Sequence, residues 1–198
     1  MAFRISFIVL YLGYFASRLI PSRKSPTVSR SREERWATLK AEGTLAIVSM
    51  ILATYGNMII AALYLFNVPW IWWSYLFLPI EIRVLGIAFS VISVIYLYWA
   101  GKVLAEHFSY TLEVQEEQKL VTEGPYRRVR HPIYTGTLAF LIFQFAISDN
   151  VLFLILVFSL LPYLVIRVKK EEEMMLENFG DQYAAYMERT GRFLPRIR

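Results

Sequence analysis

Long stretches without a single ionisable side chain constrain this sequence more than anything else in it. No Asp, Glu, Lys, Arg or His occurs from Gly43 through Ile80, and further charge-free runs cover Val84–Gly101, Pro132–Ser148 and Asn150–Ile166. Each approaches the roughly 20 residues that a helix needs to cross a hydrocarbon core. Gly43–Phe66 is long enough to span with tilt, and Asn67-Val68-Pro69-Trp70-Ile71-Trp72-Trp73-Ser74-Tyr75 after it has the prolines and indoles of an interfacial belt. Phe3–Ile20, bracketed by Arg4 and Arg18, reads as a retained first span, because Pro21-Ser22-Arg23-Lys24 follows it where a signal peptide would have a small-residue cleavage site. Apolar residues make up 57% of the chain and charged ones 19%, a balance foreign to a soluble domain. The expectation is an all-α polytopic membrane protein with five transmembrane helices.

Charge orients it. Arg23, Lys24, Arg30, Arg32, Arg35 and Lys40 lie in 21–42; Lys102, Lys119, Arg127, Arg128 and Arg130 in 101–131; and Arg167, Lys169, Lys170, Arg189, Arg192, Arg196 and Arg198 in the tail. The opposite connections, 67–81 and 148–150, have no Lys or Arg. The positive-inside rule then puts the long loops and the C-terminus in the cytoplasm and the N-terminus outside. The net charge of +5 suits anionic lipid head groups and calls for no nucleic acid. Zero cysteines exclude disulfides, thiolate metal sites and a cysteine nucleophile. Two histidines, His107 and His131, without HExxH spacing argue against a catalytic zinc, and His107 reads as an interfacial residue. Neither GxGxxG, GxSxG nor a P-loop occurs, so neither a Rossmann nucleotide site nor a nucleophile elbow is expected. In the basic loop 21–42, Trp36 is expected to dock at the interface.

Chemistry concentrates at Gly124-Pro125-Tyr126-Arg127-Arg128-Val129-Arg130-His131-Pro132-Ile133-Tyr134-Thr135-Gly136. Gly124-Pro125 is a turn signal. Pro132 keeps His131 out of the α region and suits the first position of the fourth span. His131 is therefore expected just before that helix, beside free N–H groups where Arg127, Arg128 and Arg130 add positive charge. A carboxylate or phosphate fits there.

A tight hairpin about Asp149-Asn150 returns the fifth span to the same face. Pro162 is expected to bend it and free the carbonyl of Phe158. The helix continues past the membrane through Lys169-Lys170-Glu171-Glu172-Glu173, and Leu176, Phe179, Tyr183 and Tyr186 form an apolar stripe expected to pack on the 102–131 loop. Gly180-Asp181 reads as a stop and a new cap. Arg167 and Glu171 share a helix face. As an exposed pair they would contribute only a few tenths of a kcal/mol, but their position beside the His131 entrance makes them a candidate functional pair.

Arg130-His131-Pro132-Ile133-Tyr134-Thr135-Gly136, followed after the hairpin by Glu171-Glu172, resembles the RHPxYxG…EE signature of the isoprenylcysteine carboxyl methyltransferase and phospholipid methyltransferase superfamily of integral membrane proteins. Lys119–Arg127, Arg167–Glu173, Phe179–Tyr183 and Gly191–Pro195 are similar to it as well, so the resemblance covers about 104–196 and is nearest to prokaryotic members of the carboxyl methyltransferase kind. Gln118 stands where many relatives have histidine, and Leu104–Ser109 departs from their pattern.

The resemblance implies S-adenosylmethionine as methyl donor, with S-adenosylhomocysteine as product, held without a Rossmann fold or metal in a C-terminal cytoplasmic subdomain. It places cofactor contacts on Gln118, Leu120, Val121, Gly124, Tyr126, His131, Pro132, Tyr134 and Glu171, and catalysis on Arg167 and Glu171. His131 at the helix entrance suits the donor's carboxylate, Glu171 its ammonium, and the Tyr126 or Tyr134 face its sulfonium. The implied acceptor is lipophilic, in the first place the carboxylate of an isoprenylcysteine-like substrate. A phospholipid (ethanolamine) N-methyltransferase, an NADPH-dependent sterol-type reductase and a non-enzymatic scaffold are the alternatives. The expected organisation is 1–101, three spans with the basic loop, and 102–198, a catalytic region around the 132–166 hairpin. The expected membrane is the plasma or inner membrane in a prokaryote and the endoplasmic reticulum in a eukaryote.

Overall fold

The computed structural model describes residues 1–22, 43–109 and 120–196, with the backbone alone at 20–22 and 106–109. Gln118, Trp36, the His107 side chain and the Tyr110–Val114 stretch lie outside the described residues. The described helices are α1 (Ala2–Ser22), α2 (Thr44–Leu65), α3 (Ile80–Ser109), α4 (Pro132–Ser148) and α5 (Val151–Arg189), with 3-10 turns at Pro69–Ser74 and Gly124–Arg127. Among the described residues no strand occurs, only isolated bridges pairing Tyr75 with Asn150 and Val129 with Gly191.

The protein is an all-α integral membrane protein. α1, α2, α3 and α5 are long and apolar enough to cross a bilayer, whereas α4 is a shorter apolar helix of 17 residues. At 1.5 Å per residue α4 is about 26 Å long, just under a hydrocarbon thickness of about 30 Å. Five transmembrane helices were expected; by length and composition four of the described helices qualify, and α4 is the shorter fifth apolar helix. Leu12, Leu52, Ile59, Ile92, Phe158 and Val165 are each more than half exposed, an arrangement stable only where the surroundings are apolar.

Small residues set the packing, as they do where lipid removes the hydrophobic drive for helices to associate. α3 and α4 run antiparallel in close approach. A Cβ on Gly136 would lie 2.8 Å from Leu97, and one on Gly86 3.0 Å from Ala146. Phe89 and Phe143 stack between these points at 5.0 Å. α1 closes over both, with Tyr14 stacked on Phe140 at 4.6 Å. α2 buries Ala46, Ser49, Ala53, Asn57 and Ala61 along one face, opposite α5. Pro162 lies inside α5, where it removes the donor for the Phe158 carbonyl, and Ser49 of α2 inserts at the next rung. The Tyr163 N–H donates to the Ser49 hydroxyl at 3.2 Å, and that hydroxyl donates to the Ser159 carbonyl. Asn57 is buried with its Oδ1 unpartnered.

The hairpin joins α4 to α5 through Asp149, whose left-handed φ of 58° makes the turn, and the Asn150 side chain caps α5 at the Leu152 N–H. α5 has 39 residues, about 58 Å, so its C-terminal half runs on past the charge-free stretch. Gly180 breaks it at φ 48°, where the Gly-Asp pair was expected to. α3 ends and α4 begins at the same end of the bundle as this extension, which sets the site.

Candidate active site

The extension of α5 folds back over the α4 entrance by a short backbone zipper. The Arg130 N–H donates to the Gly191 carbonyl at 2.9 Å, His131 N–H to Arg192 at 3.1 Å, and Gly191 N–H to Arg128 at 3.1 Å. Thr135, one turn into α4, adds a hydroxyl bond of 2.7 Å to the Phe193 carbonyl. Pro132 is buried at the first helical position, and His131 occupies the cap with φ −121°, as its position before proline requires. Its side chain does not cap α4, which leaves the imidazole free for other partners.

Those partners are the two consecutive glutamates. Adjacent helical residues point about 100° apart, so Glu171 and Glu172 diverge and the His131 ring sits between them. Nδ1 lies 3.6 Å from Glu171 Oε2, and Nε2 lies 3.3 Å from Glu172 Oε1. Glu171 Oε1 also accepts from the Tyr134 hydroxyl and from Arg167 Nε, each at 2.8 Å. Tyr134 lies against the histidine with ring centroids 5.8 Å apart and planes 26° from parallel. His131, Tyr134, Arg167 and Glu171, named from the sequence as site residues, are thus brought into one cluster.

Glu172 does something else. It is 3% exposed and accepts from Arg130 Nε at 2.8 Å, from His131 and from Arg192. Burial works to raise its carboxyl, but the hydrogen bonds from His131, Arg192 and Arg130 outweigh that and hold it at about 2. The same contact raises Arg192, and burial, helped by the Glu172 charge, pushes Tyr183 up to about 12. Arg130 also donates through Nη1 to the Met187 and Thr190 carbonyls at 3.1 and 2.6 Å, closing the C-terminus of α5. Arg130 was expected to greet an anion at α4. Its donors are instead spent on Glu172 and α5, while Arg127 and Arg128 stay exposed. The sequence shows Glu172 and Arg192 only as parts of charged motifs.

The remaining predicted contacts line the approach. The Gly124–Arg127 turn rests on α3. Gly124 holds φ 56°, and a Cβ there would lie 3.0 Å from Val103 and 3.5 Å from Trp99, so a side chain would be both strained and crowded. Tyr126 is buried, and its carbonyl accepts from the Tyr186 hydroxyl at 2.6 Å. Burial raises the Tyr126 phenol, and the Glu171 charge adds to the shift, so the ring lies within electrostatic reach of the cluster. Leu120 and Val121 are half-buried beside this turn. Of the α5 stripe, Tyr183 and Tyr186 are buried while Leu176 is exposed, so only its C-terminal half packs as expected. Among the described residues no group of three His, Cys, Asp or Glu side chains has a metal-holding arrangement.

The arrangement offers a fixed anion, a ring pair and an uncapped helix start at the boundary of an apolar bundle. Residues 82–182 match the family model of the phospholipid methyltransferases, just over half of the chain and all of His131, Tyr134, Arg167, Glu171 and Glu172. Protein-S-isoprenylcysteine O-methyltransferase B of Arabidopsis thaliana is 28% identical over 93 residues, which are 46% of this chain and 47% of the relative. The chain thus spans about half the length of the curated relative it matches.

Proposed function

Because this chain belongs to the phospholipid methyltransferase family, we propose that it methylates the carboxylate of a lipophilic, isoprenylcysteine-like acceptor at the cytoplasmic face of its membrane, with S-adenosylmethionine as donor. The single observation that carries this reading is the state of Glu171. Its Oε1 already accepts from Tyr134 and Arg167, and its Oε2 faces His131. A carboxylate whose oxygens are so engaged is a firmly held anion, with little free edge left to reach a proton on a substrate. A carboxylate acceptor arrives as a nucleophile and needs no base, whereas a lipid amine must lose a proton.

The residues present fit the donor. Glu171 would take its ammonium, the uncapped first turn of α4 its carboxylate, and the His131 and Tyr134 rings its sulfonium and flat adenine. When bound, S-adenosylmethionine supplies an electrophilic methyl group. This chain's residues then contribute position and exclusion of water. Tyr134 and Arg167 keep Glu171 aimed, Glu172 holds His131 from behind, and Arg167, 30% exposed at its side chain, is placed to align the acceptor carboxylate. Gly124, Tyr126, Leu120, Val121 and Pro132 would form the walls, joined by Gln118. The apolar outer faces of the helices offer a route for the acceptor's lipid chain, and the soluble donor comes from the aqueous side. The basic loops favour the cytoplasm for that side.

The second reading is N-methylation of a phospholipid amine, favoured by the description of the matched family; the occupancy of Glu171 speaks for the carboxylate. Methyl transfer also fits that family better than the reductase or scaffold readings do. The test is incubation with methyl-labelled S-adenosylmethionine and two acceptors, S-farnesylcysteine and phosphatidylethanolamine, followed by alkali. A methyl ester releases volatile labelled methanol; a methylated amine does not. Alkali-stable label on the phospholipid would replace the first reading by the second. Calorimetric binding of NADPH without S-adenosylhomocysteine would remove both.

A further inference from the structure

Two arginines at the end of the bundle remote from His131 have no part in the site above. Arg83, in the first turn of α3, folds inward. Its Nε and Nη2 donate to the Ile147 carbonyl at 3.1 and 2.9 Å, its guanidinium lies 4.0 Å over the Phe3 ring, and its charge is within electrostatic reach of Tyr64. Arg4, on α1, approaches the same tyrosine with its guanidinium 5.7 Å from the ring centroid, and donates to the Asn67 side-chain oxygen. Both cations therefore converge on Tyr64, and every partner they have is neutral: a carbonyl, an amide, a phenol and a phenyl ring.

Neither arginine makes an ion pair with a described residue. The carboxylates nearby are turned to other tasks: Asp149 accepts from the Leu78 N–H at 2.9 Å, and Glu81 is exposed at the start of α3. A guanidinium has five N–H donors, and Arg4 uses one of them on Asn67. Two half-buried positive charges thus act on one tyrosine, with donors to spare on Arg4. Their depth is marked by Trp70, Trp72 and Trp73, outward-facing at 85%, 72% and 60%, since exposed indoles settle at the head-group level. Immediately below, Ile5, Val9 and Leu12 form an outward apolar line on α1. At that depth the abundant anion is a phosphodiester, whose oxygens match the planar guanidinium fork.

We propose that Arg4 and Arg83 bind the phosphate of a membrane phospholipid, with its acyl chains lying along the outer face of α1. The site is separate from the methyl-transfer cluster and does not depend on it. It ties α1, the α2 end and α3 together through one lipid head group.

Native mass spectrometry of the full chain released from detergent tests this, with three probes: dioleoylphosphatidylglycerol, dioleoylglycerol and inorganic phosphate. The wild-type chain is expected to retain one phosphatidylglycerol and neither of the other two. Arg4→Gln should lower the retained fraction about tenfold, as loss of one charge-assisted contact implies, and Arg83→Gln at least as much. Arg128→Gln, at the opposite end, should leave it unchanged. Arg83 also holds the Ile147 carbonyl, so if Arg83→Gln fails to fold, Arg4→Gln alone decides. Equal retention in wild type and Arg4→Gln overturns the proposal. So does equal retention of dioleoylglycerol, which would mean acyl contacts only, or of inorganic phosphate alone, which would mean a free-anion site.

Discussion

Replacing Glu172 by glutamine separates the two glutamates most sharply. The Arg130–Glu172 pair is withdrawn from water, with side-chain exposures of 9% and 4%. Removing one member of a buried pair costs about 3–5 kcal/mol. Glutamine keeps the shape and one acceptor, but its amide hydrogens face donors, and Arg192, 47% exposed, adds little in a screened setting. The depressed carboxyl gives a second measure. A fall from 4.5 to about 2 corresponds to on the order of 3 kcal/mol. Glu172→Gln should therefore loosen the zipper by about 2–3 kcal/mol, which is about a 30- to 150-fold rise in hydrogen exchange where local opening controls it. The amides to follow are Arg130, His131 and Gly191, whose bonds form the zipper. Glu171→Gln should leave them unchanged and weaken S-adenosylhomocysteine binding, because Glu171 makes no bond to 190–193. The sign with pH follows from the same carboxyl. Unfolded, it takes its proton near 4.5; folded, only at about 2. Its contribution is fully present above 4.5 and fades as pH falls toward 2, so protection should be level from neutral pH to the upper value and then decline. Exchange at these amides that is the same in Glu172→Gln as in the wild type, or equally faster in both variants, would refute the division of labour between the two carboxylates.

Three further outcomes are expected. Tyr134→Phe removes a 2.8 Å bond to Glu171 and should weaken S-adenosylhomocysteine binding by about 1 kcal/mol, roughly fivefold by calorimetry, with the fold intact. Gly136→Val places a Cβ 2.8 Å from Leu97 and should destabilise by about 1–3 kcal/mol, read as a lower thermal midpoint in detergent. Ser49→Ala leaves the Tyr163 N–H and Ser159 carbonyl without their bridge and should cost about 1–3 kcal/mol, seen as faster exchange at Tyr163 while Phe153, on the far side of Pro162, is unaffected.

Local chemistry was legible in particular residues. Pro132 predicted that His131 would stand at a helix cap, Gly180 that α5 would break, and Arg167 with Glu171 that they would share a face; each depends on backbone rules spanning one turn. The details that were not legible depend on contacts between distant segments. Arg130 was expected to face an anion, and only the fold-back of 190–193 shows its donors committed to Glu172 and the α5 carbonyls. Pro162 announces a weakened ladder, but the Ser49 bridge between the Ser159 carbonyl and the Tyr163 N–H depends on the approach of α2.

Charge-free length alone is enough to specify a helical membrane protein, since a lipid core tolerates no unpaired backbone and the helix pairs its backbone within one segment. Glycine, proline and paired charge positions likewise announce where helices start, bend and stop. The different duties of Glu171 and Glu172 could not be read that way. Adjacent and chemically identical, they acquire opposite roles because a helix turns them about 100° apart, one toward Tyr134 and Arg167, the other into a buried crossing of Arg130, His131 and Arg192. Which partner each glutamate meets is set by the packing of a segment as far as 42 residues away, and that information exists only once the chain has folded.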